Sequence, residues 1–479
     1  MTRIVAFFHK PVGLWSVIGF ILAINCIWYF SNIPTNSMNQ QQRKDASGFS
    51  IDKGQKFAYF NYYTGNFPLA TLNDSLVYSE QGALNEIKTN GKDLIMEYQH
   101  WSRLGEHARI WAFLPDAWLK GSPKKPSIKT FNALLFIIAL ISIFISFYRI
   151  NKPVFGALLV LIVSVTPFFV YEVYGNENIF GLLATVFLIC LSLNLPVLFN
   201  KTSNLQKTIA AALISGVFIG FFSEFRNELS ILFFSILLIY LFANQFIIWK
   251  RLLLISLTLL TFWGTKSGLR EWFDYQYNQT VELVAKNNGH VYTGKRIEGH
   301  KFWHPVFCGL GDFDRKYGYV WNDRIAYEYA TPILNNKYDL NISYSGELQT
   351  DNYYDTDSLY YIKFDEIEAY ETVVRDKVIS DIKNDPIWYL EILGKRLIRI
   401  LSATLPIPFV GWLLIPLSFL LIRRKEYQYL KLIVISLPLS LSTFIIYSDN
   451  GSTYNSLFGY FILIISLLLI VRRYSRAQE

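Results

Sequence analysis

Apolar stretches long enough to cross a bilayer dominate this chain, and they constrain its fold more than any motif does. A membrane-spanning helix needs about 20 apolar residues. The sequence supplies about ten candidates, near 12–31, 130–148, 153–172, 178–199, 208–224, 228–247, 251–265, 404–422, 429–447 and 455–471. The stretch 251–265 is short, which suits a tilted or re-entrant segment and leaves the count open by one. A chain of 479 residues with 52% hydrophobic and 17% aromatic content is too apolar for a soluble multidomain protein. Two long polar segments, 32–128 and 267–404, interrupt the series.

Lys and Arg in short loops set orientation, because they stay on the cytoplasmic side. Arg149 and Lys152, Lys201 and Lys207, Lys250 and Arg251, Arg423, Arg424 and Lys425, and Arg472, Arg473 and Arg476 all flank spans on one side. The turns 173–177 and 448–454 carry no basic residue. Both termini are therefore expected in the cytoplasm and both polar segments outside. The net charge of +8 is accounted for by topology, without a nucleic-acid partner. Arg3 and Lys10 precede the first span and no small-x-small cleavage site follows it, the pattern of an uncleaved signal anchor.

The expected fold is thus an all-α polytopic membrane protein with two large outer, periplasmic loops. It divides into a signal-anchor span (1–31), a first outer loop (32–128), a transmembrane bundle (129–266), a second outer loop (267–404) and C-terminal spans (405–479). Cys308 is the one cysteine in either loop, so no disulfide within the chain can staple them. They must be held by burial against the bundle.

Five clusters bear on chemistry. Asp74 opens a helix-like stretch that continues through Tyr78 and Glu80 to Lys88. An acid there is either an N-cap for exposed backbone N–H groups or a reactive carboxylate sharing a face with Tyr78. Glu177 opens a span after a Gly-Asn turn, whereas Glu172 suits a solvated turn. Gly216 and Gly220, four apart, permit close helix packing just before Glu224, Arg226 and Glu228. Arg226 in so apolar a stretch needs an anionic partner, either the local glutamates or a phosphate at the membrane surface.

The run from Gly299 to Asp314 concentrates His300, Lys301, Trp303 and His304, then Gly311 and Asp312. Pro305 argues against a helix running through the histidine pair, and the HExxH pattern is absent, so metal ligation is not indicated. A polar, aromatic binding loop and a set of packed loop residues are the two readings. Arg103 and His107 lie about one turn apart on a charged, Trp-bearing stretch that suits the headgroup level.

Together these residues resemble the GT-C superfamily of membrane glycosyltransferases, which includes protein mannosyltransferases, aminoarabinose transferases and bacterial O-antigen-modifying glucosyltransferases. Asp74-Ser75-Leu76-Val77-Tyr78 matches the first and last positions of that family's D-[DE]-x-x-Y motif, and Ser75 departs where many members carry a second acid. Gly216 to Leu229 is similar to its G-x-x-x-G-x-x-x-x-x-[RK] pattern, and Glu177 occupies a position where members often have an acid. The resemblance covers roughly 60–265.

It implies sugar transfer from a polyprenyl-phosphate donor to a glycan or lipid-linked glycan in lipopolysaccharide or another part of the cell envelope. Asp74 would be the general base and Arg226 the phosphate holder. Glu177 would orient the acceptor or support Asp74, His300 and His304 would assist Arg226, and the loop tyrosines and tryptophans would stack sugars. No cofactor is expected beyond a possible divalent metal, which the change to Ser75 weakens. A bacterial inner membrane is the expected location. A polysaccharide polymerase or ligase, and a lipid or glycan flippase, are the competing classes. The first usually places its main loop late, and the second predicts charged or broken mid-membrane helices in paired halves.

Overall fold

The structure, a computed structural model, describes residues 7–8, 10–30, 81, 85, 88, 128–166, 183, 186–187, 190, 193, 205–223, 230–242, 246–288, 302–338, 367–403, 407–446 and 463–464. Among the described residues the regular structure is helical throughout, with no strand. In chain order the helices are α1 (Pro11–Phe30), α2 (Ile128–Arg149), α3 (Pro153–Val165), α4 (Leu205–Ser223), α5 (Leu232–Leu241), α6 (Ile248–Lys286) and α7 (Trp303–Gly309). They continue with α8 (Asp323–Tyr338), α9 (Ile367–Asn384), α10 (Pro386–Ser402), α11 (Leu414–Arg423), α12 (Tyr427–Ser436) and α13 (Leu441–Ile445), with short 3-10 turns at 316–318, 410–413 and 437–440.

Among the described residues, three segments are long and apolar enough to cross a membrane: Pro11–Phe30, Gln206–Ser223 and Ile248–Trp272. Shorter apolar helices cover Ala133–Arg149, Pro153–Val165, Leu232–Leu241, Val410–Arg423 and Tyr429–Ile445. Their outward faces are as apolar as their buried ones: Trp15, Ile27, Ile138, Ile214, Leu260 and Phe419 are all exposed. Helices that are hydrophobic all round suit lipid rather than water.

The helix α6 runs on through the polar boundary expected at 266. At 39 residues it is about 58 Å long, roughly twice a bilayer core. Its apolar part ends at Trp272, and the first stretch of the second polar segment, through Lys286, is helix. Hydropathy falls at Lys266, but backbone hydrogen bonding does not depend on side-chain polarity, so the helix continues.

Against α6 lies α4, parallel and very close. A Cβ on Gly216 would stand 2.4 Å from the Thr258 carbonyl oxygen, and one on Gly220 would stand 2.7 Å from that of Phe262. Only glycine lets the backbones approach this far. Thr258 adds a hydrogen bond across the seam to the Ala212 carbonyl (3.1 Å) and one toward Tyr240 of α5 (3.4 Å). On the other side of the bundle, the Trp28 indole of α1 donates to the Ser164 carbonyl of α3 (2.8 Å).

Three basic turns meet at one end of this bundle. Between α2 and α3, and again between α11 and α12, the chain reverses through a left-handed residue, Asn151 (φ 57°) and Lys425 (φ 58°), which closes the preceding helix. Lys152 of the first turn donates to the Tyr429 hydroxyl beside the second (3.3 Å). Lys431 donates to the Phe242 carbonyl in the turn between α5 and α6 (3.5 Å). From the first turn of α6, Arg251 donates to the Leu241 carbonyl at the end of α5 (3.1 Å) and to the Phe246 carbonyl within the turn (2.8 Å).

At the opposite end, beyond α12 and α13, sits a second unit built from α7, α8, α9 and α10. Its core contains Val306, Phe307, Leu310, Tyr319, Ala326, Tyr327, Tyr370, Val374, Trp388 and Ile392. The second polar segment is expected to be held by burial against the bundle; its described part instead packs a core of its own and meets the bundle through α10. The tyrosines read as sugar platforms are in good part that core: Tyr319, Tyr327 and Tyr370 are buried, while Tyr317 and Trp321 remain exposed. The helix α10 belongs to both cores, with Trp388 and Ile392 in the second and Ile400 in the first.

Candidate functional site

The end opposite the basic turns gathers polar chemistry in three places: the joint between the two cores, the interior of the second unit and the seam between α4 and α6.

At the joint, Arg396 is fully buried on α10. Its Nε donates to Asp312 Oδ2 at 3.2 Å, and the side chains of both partners are inaccessible. One terminal nitrogen donates to the Gly309 carbonyl at the end of α7 (2.6 Å). The other donates to the Phe444 and Ile445 carbonyls at the end of α13 (3.1 and 2.8 Å). The last carbonyls of a helix carry its negative end and lack intrahelical partners. One guanidinium therefore caps two helices, one in each core, and pairs with a carboxylate. Burial lowers the Arg396 pKa and the Asp312 charge opposes that shift.

Inside the second unit, Trp303 opens α7 and its backbone N–H donates to Glu371 Oε2 at 2.7 Å. Pro305 falls in the first turn of that helix, where its missing N–H costs nothing. His304 is 1% exposed, with Nδ1 bonded to the Tyr370 hydroxyl and Nε2 3.7 Å from Cys308 Sγ. Both ring nitrogens are engaged inside the protein, and the ring packs beside those of Tyr327 and Tyr370.

A second polar group lies on the outer side of the same unit. Asp381 accepts from the Tyr319 hydroxyl (2.8 Å) and from Lys377 (2.9 Å), whose ammonium lies 4.9 and 5.0 Å from the Tyr319 and Tyr329 rings. Burial, then the Asp381 carboxylate, pushes the Tyr319 phenol well up. Asp385 accepts from Lys316 (2.5 Å), from Tyr317 (3.1 Å) and from the Trp388 N–H (3.1 Å), capping α10. Lys316 first, then the Trp388 N–H, holds the Asp385 carboxyl below its ordinary range.

At the α4–α6 seam, the register of Gly216 and Gly220 brings Ser223, the last described residue of α4, level with Lys266. Lys266 is 8% exposed on an apolar helix, 5.9 Å from the Phe262 ring. A charge buried among apolar helices is costly, and in membrane proteins it marks function more often than packing. The sequence continues from Ser223 into Glu224 and Arg226.

Of the residues singled out from sequence, Trp303, His304 and Asp312 fall within the described part. The structure gives His304 and Asp312 internal partners and leaves Trp303 half-buried beside them. Asp74, Tyr78, Glu80, Arg103, His107, Glu177, Glu224, Arg226 and His300 lie outside the described residues. Gln81, Asn85 and Lys88, within the stretch expected to be helical after Asp74, are helical. Among the described residues no three His, Cys, Asp or Glu side chains form a metal-sized cluster. Sequence reasoning missed Arg396 and Lys266. Lys266 had a legible signal, a lone cation immediately after an apolar run, whereas Arg396 stood among Lys395 and Arg399 as one of three similar cations. The chain matches no family model, no curated protein and no solved structure.

Proposed function

We propose that this chain is a multi-pass membrane glycosyltransferase that takes a sugar from a polyprenyl-phosphate-linked donor and transfers it to an envelope glycan. In this reading the basic turns face the cytoplasm, about ten spans cross the membrane, and both polar segments lie on the outer face. The observation that supports it best is the buried Lys266 at the end opposite the basic turns, level with the end of the helix that leads into Arg226. Cations at that boundary suit an anionic headgroup whose lipid stays in the bilayer.

Asp74 takes the proton of the acceptor hydroxyl as that oxygen bonds to the sugar. The bond between sugar and phosphate breaks, and Arg226, with Lys266, stabilises the charge on the departing polyprenyl phosphate. Glu177 orients the acceptor. Tyr78, Glu80, Arg103, His107, Glu224 and His300 are the further candidates for holding donor or acceptor, while His304 and Asp312 support the site from within the second unit.

The test is a pair of variants in cells, Asp74→Asn and Arg226→Ala, scored for glycan modification at equal membrane abundance. Each is expected to abolish it. Full modification by both would remove the assignment, and solute flux in vesicles without sugar transfer would favour a transporter.

A further inference from the structure

The helix α10 carries an exposed apolar stripe that faces none of the two cores it joins. Ile387 is 68% exposed, Leu390 64%, Leu397 50% and Ile398 55%, and Gly394 lies exposed between them. Their spacing puts all five on one side of the helix, opposite Trp388, Ile392, Arg396 and Ile400, which are buried. The charges occupy the flank between these two faces. Glu391 and Lys395 are exposed there, and Arg399 follows, its guanidinium 4.2 Å from the Phe313 ring.

We infer that α10 lies in the plane of the membrane surface, with its stripe in the acyl-chain boundary and Lys395 at the level of the headgroup phosphates. Three observations favour lipid as the occupant. The stripe is continuous along the chain with the apolar outer surface of the next helices, since Ile407, Phe409, Ile415 and Phe419 are exposed as well. The flanking cations complement anionic headgroups. The buried face is already committed, through Arg396, to the C-terminal end of α13, so α10 sits at the boundary of the bundle rather than away from it. The second unit therefore rests on the membrane through α10 rather than standing on a stalk. This holds whether or not the protein transfers sugar.

The test uses the full chain with Cys26, Cys190 and Cys308 replaced by alanine and single cysteines placed at Leu390 or Leu397. Lys383 on α9 serves as a water-facing comparator and Phe419 on α11 as a lipid-facing one. Each is labelled with bimane and reconstituted in nanodiscs, with brominated phospholipid or aqueous iodide as quencher. Labels at Leu390 and Leu397 are expected to follow Phe419, quenched several-fold more by brominated lipid than by iodide, with Lys383 showing the reverse. Iodide quenching at 390 and 397 equal to that at 383 would overturn the inference. So would protection from both quenchers together with cysteine cross-linking between copies, which would make the stripe a protein interface.

Discussion

Arg396 is the strongest single test of how the two cores are joined. Replacing it with methionine keeps much of the apolar volume but leaves the Asp312 carboxylate buried and three helix-end carbonyls without their donor. Removing one partner of a buried ion pair costs about 3–5 kcal/mol. Asp312→Asn is milder, about 1–3 kcal/mol, because Arg396 keeps its three carbonyl acceptors at Gly309, Phe444 and Ile445. The double variant removes both buried charges, so its cost falls short of the sum by about 2 kcal/mol. Arg396→Lys keeps the charge but lacks the planar fork that serves four acceptors, and falls between wild type and Arg396→Met. Tryptophan fluorescence during heating in detergent reads this well, because Trp303 and Trp388 lie in or against the second core. Arg396→Met should melt several degrees earlier in that signal. Strict additivity of the two single variants, or an unchanged midpoint for Arg396→Met, would refute the clamp.

Other outcomes follow from the same geometry. Gly220→Leu should push α4 away from α6, costing about 1–3 kcal/mol as overpacking and lowering the inactivation temperature in detergent. Lys266→Met should lose most sugar transfer while accumulating and melting like wild type, and Lys266→Arg should recover part of it; normal transfer by Lys266→Met would separate that cation from the donor phosphate. The depressed Asp385 pKa stabilises the fold above the ordinary aspartate value of about 4, and that contribution disappears as pH falls through the depressed value. Acidification should therefore lower the melting midpoint less in Asp385→Asn, which has already lost the carboxylate, than in wild type.

How far the sequence could be read varied with the kind of signal. Apolar runs foretold α1, α4 and the apolar part of α6 because lipid selects side chains along the whole length of a helix. Gly216 and Gly220 announced close packing of α4, because nothing larger fits between backbones that close, and the structure supplies α6 as the partner. The basic turns at Arg149 and Lys152, Lys250 and Arg251, and Arg423–Lys425, grouped from charge alone, meet at one end of the described bundle. The polar segments were harder. Hydropathy reports environment rather than backbone hydrogen bonding, so the continuation of α6 to Lys286 was hidden. Tyrosine serves cores and surfaces alike, so Tyr319, Tyr327 and Tyr370 looked like binding residues until their packing was visible. Three cations in one helix turn gave no sign that Arg396 alone turns inward, since that depends on Asp312 and on carbonyls more than forty residues away. For the proposed site, the chemistry read from Asp74 and Arg226 rests on their sequence context alone, and the structure contributes a buried Lys266 on α6, level with Ser223 of α4.

The most direct measurement of the central claim is release of free polyprenyl phosphate by the purified chain in nanodiscs. It would be supplied with undecaprenyl-phosphate-linked hexoses and an envelope glycan extract, and followed by chromatography and mass spectrometry. Release that requires the glycan, with matching mass gain on it, and that is lost in both Asp74→Asn and Arg226→Ala, is the predicted result. Absence of release across the hexose panel from well-folded protein, or equal release by the two variants, would contradict it.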